Sequence, residues 1–125
     1  MYRRLAAADA MVLCSKRLSG KGEGVPTVAL EALALGVPCI LSNAASPTPA
    51  VTDTQSYWSF EAGNAVELAQ LLTRAVQVPA ATLELRMRGP RATKLLDWSQ
   101  IAAGVERVYE KATESGPQRA RGPNA

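Results

Sequence analysis

Two glutamates eight residues apart, Glu23 and Glu31, are the residues of this sequence whose type and spacing could do chemistry. Glu23 lies in a glycine-rich loop, whereas Glu31 lies within an apolar segment that is predicted to be a helix. A carboxylate among apolar side chains is costly unless a partner satisfies it, and a ligand with hydroxyl groups would do so. The alternative for Glu31 is a boundary position paired with a lysine or arginine. The alternative for Glu23 is a solvated position in a charged loop.

A strand, a loop, a helix and a second strand are predicted to position these glutamates. Residues 10–14 and 38–42 are short continuous apolar runs, typical of strands covered on both faces in a parallel sheet. The helix between them is predicted to begin at Pro26, because a proline loses nothing at the first helical position. It is predicted to end near Leu35, where Gly36 provides a stop signal.

The N-terminus of this helix is a candidate anion site. Ligands of open α/β sheets bind beyond the carboxyl ends of the strands. Unpaired N–H groups at a helix N-terminus, together with the helix dipole, favour a phosphate or diphosphate. The backbone concerned runs through Gly24, Val25, Pro26 and Thr27. The Thr27 hydroxyl could donate to a phosphate or support the first helical turn, and Ser15, at the end of the first strand, could line the same site.

The remainder of the chain predicts one more strand followed by helices. Residues 57–60 form the third strand, and Asn64 is a good N-cap for the helix that follows. A later helix over residues 80–88 is predicted to be interrupted by Gly89-Pro90, and Ser99 is predicted to cap the last helix.

The predicted fold class is α/β. Residues 1–114 form a partial Rossmann-like domain with about three parallel strands and flanking helices, and residues 115–125 form a disordered tail. A sheet of this size leaves an edge unpaired, which favours association with another segment or chain.

Composition excludes several classes of function. The net charge is +3, without a clustered basic face of the kind that binds nucleic acid. No apolar run approaches the roughly 20 residues of a membrane span, and no secretory signal opens the chain, so a cytoplasmic location is predicted. With no histidine and no Asp-x-Asp pair, no metal site is predicted. Both cysteines, Cys14 and Cys39, fall in apolar runs and are expected to be buried.

The segment from Glu23 to Pro38 also resembles a known family. It reads Glu-Gly-x-Pro-x-x-x-x-Glu-Ala-x-Ala-x-Gly-x-Pro, which is similar to the E-x7-E segment of retaining glycosyltransferases of family 4, enzymes with the GT-B fold. Residues 8–15, 39–43 and 96–101 resemble the flanking strands and the turn before the family's last helix. The similarity runs over residues 1–112, which corresponds to about the final third of such an enzyme.

This resemblance implies that the chain is the C-terminal half of the domain that binds the donor in a GT-B enzyme. The substrate would be a nucleoside diphosphate sugar, no further cofactor is expected, and a hexose would be transferred with retention. In similar enzymes the second glutamate holds the ribose and the first contacts the donor sugar. The resemblance therefore assigns ribose binding to Glu31 and a catalytic role to Glu23, and it places Gly24, Val25 and Pro26 beside the diphosphate.

Two departures from the family pattern concern what this chain could do alone. The Arg and Lys that clamp the diphosphate, and the acceptor-binding domain, have no counterpart in these residues. The stretch Ala44–Ala50 holds neither the glycine pair nor the Pro-Glu of similar enzymes. Activity is therefore expected only with an acceptor-binding domain or chain, and peripheral membrane contact is allowed. The alternative is a non-catalytic remnant, or a module that binds a nucleotide or a protein.

Overall fold

The computed structural model of the protein describes residues 2–19, 24–45, 47–48, 51 and 55–114. The chain divides into two units, Met1–Leu95 and Leu96–Ala125. The first unit contains α1 (Tyr2–Ala6), β1 (Met11–Leu13), α2 (Thr27–Ala34), β2 (Cys39–Ser42), β3 (Trp58–Phe60), α3 (Ala65–Gln77) and α4 (Pro79–Thr93). A 3-10 turn spans Lys94–Leu96, and the second unit contains α5 (Trp98–Glu114). The tail predicted at residues 115–125 lies outside the described residues.

The three strands form one parallel sheet in the order β1-β2-β3, as the α/β prediction requires. The central strand β2 is buried at every position, because a parallel strand between two neighbours is covered on both faces. The prediction of cover on both faces is wrong for β1, where Val12 is 36% exposed. Among the described residues β1 is an edge of the sheet, so it has a neighbouring strand on one side alone.

The two faces of the sheet pack against different helices. The Cys39 sulfur lies 4.0 Å from the carbonyl oxygen of Ala29, so this residue faces α2. Successive side chains of a strand point to opposite faces, and Ser42, three residues along β2, therefore faces the other side. Phe60, the register partner of Ser42, lines a cavity with Leu68 of α3. The sheet thus separates α2 from α3.

Hydrogen bonds connect the carboxyl ends of all three strands. The Ser42 hydroxyl donates to the carbonyl oxygen of Ser15 at 2.7 Å, which joins β2 to the segment after β1. The backbone N–H of Asn43 donates to Phe60 at 2.8 Å, and the Asn43 side-chain oxygen accepts from the N–H of Ala62 at 3.0 Å. This carboxyl edge, defined by residues 13–15, 42–43 and 60–62, is therefore one bonded unit.

Helix α2 ends as the sequence predicts. Gly36 adopts a φ of +71°, the left-handed conformation that glycine reaches without strain. Its N–H donates to Leu33 at 3.0 Å, and the N–H of Val37 donates to Ala32 at 2.9 Å. These two bonds form a Schellman motif, which satisfies the last carbonyls of the helix.

The predicted interruption at Gly89-Pro90 is wrong, because α4 continues through both residues to Thr93. An interior proline removes one helical hydrogen bond and costs about 3 kcal/mol in isolation. The helix packs closely on α2 at this point: a Cβ atom at Gly89 would lie 2.7 Å from the carbonyl oxygen of Leu33. Gly89 therefore permits close contact between the two helices. The Thr93 hydroxyl, in addition, contacts the carbonyl oxygens of Gly89 and Pro90 at 3.2 and 3.1 Å.

Arg86 of α4 forms hydrogen bonds at the opposite end of the sheet, where the strands begin. Its guanidinium donates to the carbonyl oxygen of Gly36 at 3.5 Å and to that of Asp9 at 3.3 Å. These residues lie just before β2 and β1, so one side chain joins α4 to the amino ends of two strands.

The N-terminus of α3 is capped as predicted. The Asn64 side chain accepts from the N–H of Glu67 at 3.0 Å, and the Glu67 carboxylate accepts from the N–H of Glu61 at 2.8 Å. Replacing Asn64 with alanine should lower the free energy of unfolding by about 1 kcal/mol, the usual cost of losing an N-cap. Urea denaturation measures this loss. Gln70→Ala, on the exposed part of the same helix, should stay within about 0.5 kcal/mol of the parent, and an equal loss in both variants would contradict the capping role.

The two cysteines differ in exposure, contrary to the expectation that both are buried. Cys39 is buried in β2, whereas Cys14 is exposed. Cys14 follows the edge strand β1, where nothing among the described residues pairs with the outer side of the sheet. Burial raises the pKa of the Cys39 thiol to about 12, so this thiol stays protonated at neutral pH.

Only Cys14 should therefore react with a thiol reagent in the native protein, because the thiolate is the reactive form. A colorimetric disulfide reagent at pH 8 is expected to report one equivalent before denaturation and two after it. The Cys14→Ser variant should report none until it is unfolded. Rapid release of two equivalents from the native protein would show that the region around β2 opens readily.

The last helix, α5, begins one residue before the predicted cap. Its first residue is Trp98, and the carbonyl oxygen of Asp97 accepts from the N–H groups of Gln100 and Ile101 at 2.9 and 3.0 Å. Asp97, rather than Ser99, therefore occupies the N-cap position. The Ser99 hydroxyl donates to the Asp97 carboxylate at 3.2 Å.

Candidate functional site

The loop after β1 leads into α2 through Pro26. This residue, predicted to be the first of the helix, is instead its N-cap, with φ −77° and ψ 101°, and the helix begins one position later, at Thr27. Its carbonyl oxygen accepts from the N–H groups of Ala29 and Leu30 at 3.0 and 3.3 Å. A proline side chain cannot cap, and no side-chain cap is present. The N–H groups of Thr27 and Val28 precede the first helical bonds, so they have no acceptor within the helix.

The backbone in front of this helix is accessible. Gly24, Val25 and Thr27 are exposed, and Val25 is 48% exposed. Among the described residues, a Cβ atom added to Gly24 would meet nothing within 4 Å, so these residues leave the space in front of α2 open to a ligand. The structure thus brings four of the predicted residues, Gly24 to Thr27, together at one helix N-terminus. Glu23, the predicted catalytic residue, lies outside the described residues, and its role stays a prediction.

Glu31 is half-buried rather than enclosed among apolar side chains, which corrects the premise drawn from the sequence. The buried face of α2 consists of Ala29, Ala32 and Leu33, and Glu31 lies beside it. Within the described part of the chain its carboxylate forms no ion pair. Its Oε1 instead accepts a hydrogen bond from the phenol of Tyr2 at 3.2 Å. A carboxylate has about four acceptor positions, so one phenol leaves capacity for a ligand.

A hollow of about 690 Å³ lies between α1 and the first turn of α2. Arg4 and Leu5 of α1, together with Ala8, line one side, and Val28 lines the other. Glu31 follows Val28 by three residues, so the two share a face of α2. The hollow therefore lies beside Arg4 of α1 and the first turn of α2, whose N–H groups have no acceptor within the helix, and Glu31 lies one turn further along the same face. These groups can bind an anion and accept hydrogen bonds from hydroxyl groups.

Ser15 is separate from this hollow. It lines a smaller cavity of about 160 Å³ with Phe60, Asn64 and Leu68, on the α3 side of the sheet. No residue of α2 lines that cavity. Ser15 connects to the rest of the carboxyl edge through its carbonyl oxygen, which accepts from Ser42.

Sequence reasoning missed Tyr2 and Arg4 as residues of this region. Tyr2 contacts Glu31 across 29 positions of sequence, and no local pattern predicts such a pairing. The helical spacing of three residues could have identified Val28 as a neighbour of Glu31.

The described residues contain no cluster of three or more His, Cys, Asp or Glu side chains that could hold a metal ion. Within the same residues, no helix is both long and apolar enough to span a bilayer.

Comparison with known proteins decides the family. The family described as glycosyl transferases group 1 matches residues 1–94, which include the whole sheet, α2 and the site in front of it. The chain belongs to this family. The structure is similar to that of sucrose-phosphate synthase from Thermosynechococcus elongatus, with a TM-score of 0.67 over 90% of this chain and 24% sequence identity. That likeness supports the fold: a Rossmann-like part of a GT-B glycosyltransferase.

A sequence relative of this group 1 glycosyltransferase chain is the phosphatidyl-myo-inositol mannosyltransferase of Mycobacterium leprae. The two are 28% identical over 111 residues, which make up 89% of this chain and 29% of the relative. The match to sucrose-phosphate synthase covers 27% of that protein. The chain thus spans less than a third of the length of either protein.

Proposed function

We propose that this chain binds a nucleoside diphosphate sugar and supplies the donor-binding part of a retaining hexosyltransferase. The uncapped N-terminus of α2 beyond the end of β1, in a member of the group 1 glycosyltransferase family, carries the proposal. Its free N–H groups and the helix dipole would hold the diphosphate. Glu31, half-buried one turn further along, would accept hydrogen bonds from the ribose hydroxyls.

Catalysis in this proposal is electrostatic. As the bond to the sugar breaks, negative charge grows on the departing diphosphate, and fixed N–H groups around Thr27 would stabilise it. Glu23 would contact the transferred sugar near its anomeric carbon. We propose no resident metal or other cofactor. The mannosyltransferase relative supports a hexose as the transferred group. The acceptor site, peripheral membrane contact and a cytoplasmic location stay predictions.

Titration followed by amide NMR tests donor binding directly. Uridine and guanosine diphosphate sugars are added to the chain, with inorganic pyrophosphate as a second probe. Shifts should concentrate at Gly24, Val25, Thr27 and Val28 for all of them, and at Glu31 only for the nucleotides. A flat titration of a well-folded protein would contradict donor binding and favour the non-catalytic alternative.

Sugar transfer is expected only when an acceptor-binding domain or chain is supplied, because this chain spans under a third of its full-length relative. Measured transfer by the chain alone, at the rate of a complete enzyme, would contradict that expectation.

A further inference from the structure

We propose that Tyr2 is a positioning residue for the donor ribose and acts through Glu31. This inference rests on the proposed donor site. The phenol of Tyr2 donates to Oε1 of Glu31 at 3.2 Å, and that bond fixes one carboxylate oxygen. The other oxygen then accepts from the ribose.

The structure gives Tyr2 no role in the core that would explain this contact. Its side chain is 59% exposed, and α1 has no buried residue. The contact instead joins α1 to α2, the two helices whose residues Arg4, Leu5 and Val28 line the hollow. Helix α1 therefore forms a side of the donor site.

The physical gain lies in the orientation of the carboxylate. A free glutamate side chain has several rotamers and loses that freedom when a ligand is held. A hydrogen bond already made to Tyr2 restricts the rotamers before binding. The same bond occupies one acceptor position, so the carboxylate presents a defined set of remaining positions to a pair of hydroxyl groups.

The test uses Tyr2→Phe, which removes the hydroxyl and keeps the ring. Binding of uridine and guanosine diphosphate should weaken roughly 3- to 10-fold, the range expected for one hydrogen bond. Binding of their 2′-deoxy forms should weaken less, and binding of inorganic pyrophosphate should be unaffected, because neither probe offers the ribose diol. Tyr109→Phe makes the same chemical change on α5 and should leave all affinities unchanged.

A second variant separates positioning from a general structural effect. In a Glu31→Gln background, Tyr2→Phe should cause less than a twofold further loss, because the two residues act through one carboxylate. Equal weakening of ribonucleotide, deoxynucleotide and pyrophosphate would indicate a structural role for Tyr2 and overturn the inference. Thermal unfolding of both variants, read alongside, shows whether the fold is intact.

Two outcomes distinguish this inference from the proposed function. If Glu31→Gln loses nucleotide binding while Tyr2→Phe binds like the parent, the role of Tyr2 is wrong and the donor site stands. If the parent binds no nucleotide, or Glu31→Gln binds equally well, the donor site itself is wrong and the role of Tyr2 falls with it.

Discussion

Glu31→Gln is expected to weaken nucleoside diphosphate binding by about 10- to 100-fold. Hydrogen bonds to a charged group contribute roughly 1.5–3 kcal/mol, about twice a neutral pair, and glutamine also replaces one acceptor by a donor. Isothermal calorimetry or the NMR titration measures the loss. Because Glu31 is half-buried and forms no ion pair within the described residues, the variant should fold normally.

Glu84→Gln is the matched control for this change. Glu84 lies on α4, where it pairs with Arg88 at 3.6 Å on an exposed surface. The substitution removes the same charge, and an exposed pair of this kind contributes less than about 1 kcal/mol to stability. Nucleotide affinity should be unchanged. If both variants lose affinity equally, the effect is one of net charge and Glu31 has no specific role.

Gly89→Ala is expected to lower the free energy of unfolding by about 1–3 kcal/mol, the cost of overpacking a well-packed contact. The added methyl group would lie 2.7 Å from the carbonyl oxygen of Leu33 and 3.2 Å from its Cα. Both are backbone atoms, so α2 and α4 must separate. The result is opposite in sign to helix propensity, which favours alanine over glycine by about 1 kcal/mol.

Gly104→Ala provides the comparison. This glycine lies in α5, and a Cβ atom there would meet nothing within 4 Å among the described residues. Helix propensity is then the one effect expected, so the free energy of unfolding should stay unchanged or rise by up to about 1 kcal/mol. Chemical denaturation of both variants decides the matter: a stabilised Gly89→Ala protein would show that the contact between α2 and α4 is looser than described.

Helix ends that depend on a single residue could be predicted from the sequence. Gly36 stops α2 because it adopts the positive φ that ends the helix, and Asn64 caps α3 through its own side chain. The central strand β2 was predictable because its apolar run is covered on both faces. These features follow from a few neighbouring residues, so the sequence contains them directly.

Features that depend on tertiary contacts were not predictable in this way. The passage of α4 through Pro90 coincides with the close packing of Gly89 on Leu33, which is 56 positions away. The exposure of Cys14 follows from its place after an edge strand, whereas an apolar run by itself suggests burial. Glu31 was placed in the core from its apolar neighbours, yet it lies beside the buried face of α2 and contacts Tyr2.

The bonded carboxyl edge has a consequence for affinity. The Ser42 hydroxyl, the backbone of Asn43 and its side-chain oxygen already hold the ends of β1, β2 and β3 in register. Ordering of these backbone segments is therefore complete once the domain has folded. A ligand that binds at this carboxyl edge finds the backbone segments already ordered. No binding free energy is therefore lost in ordering them.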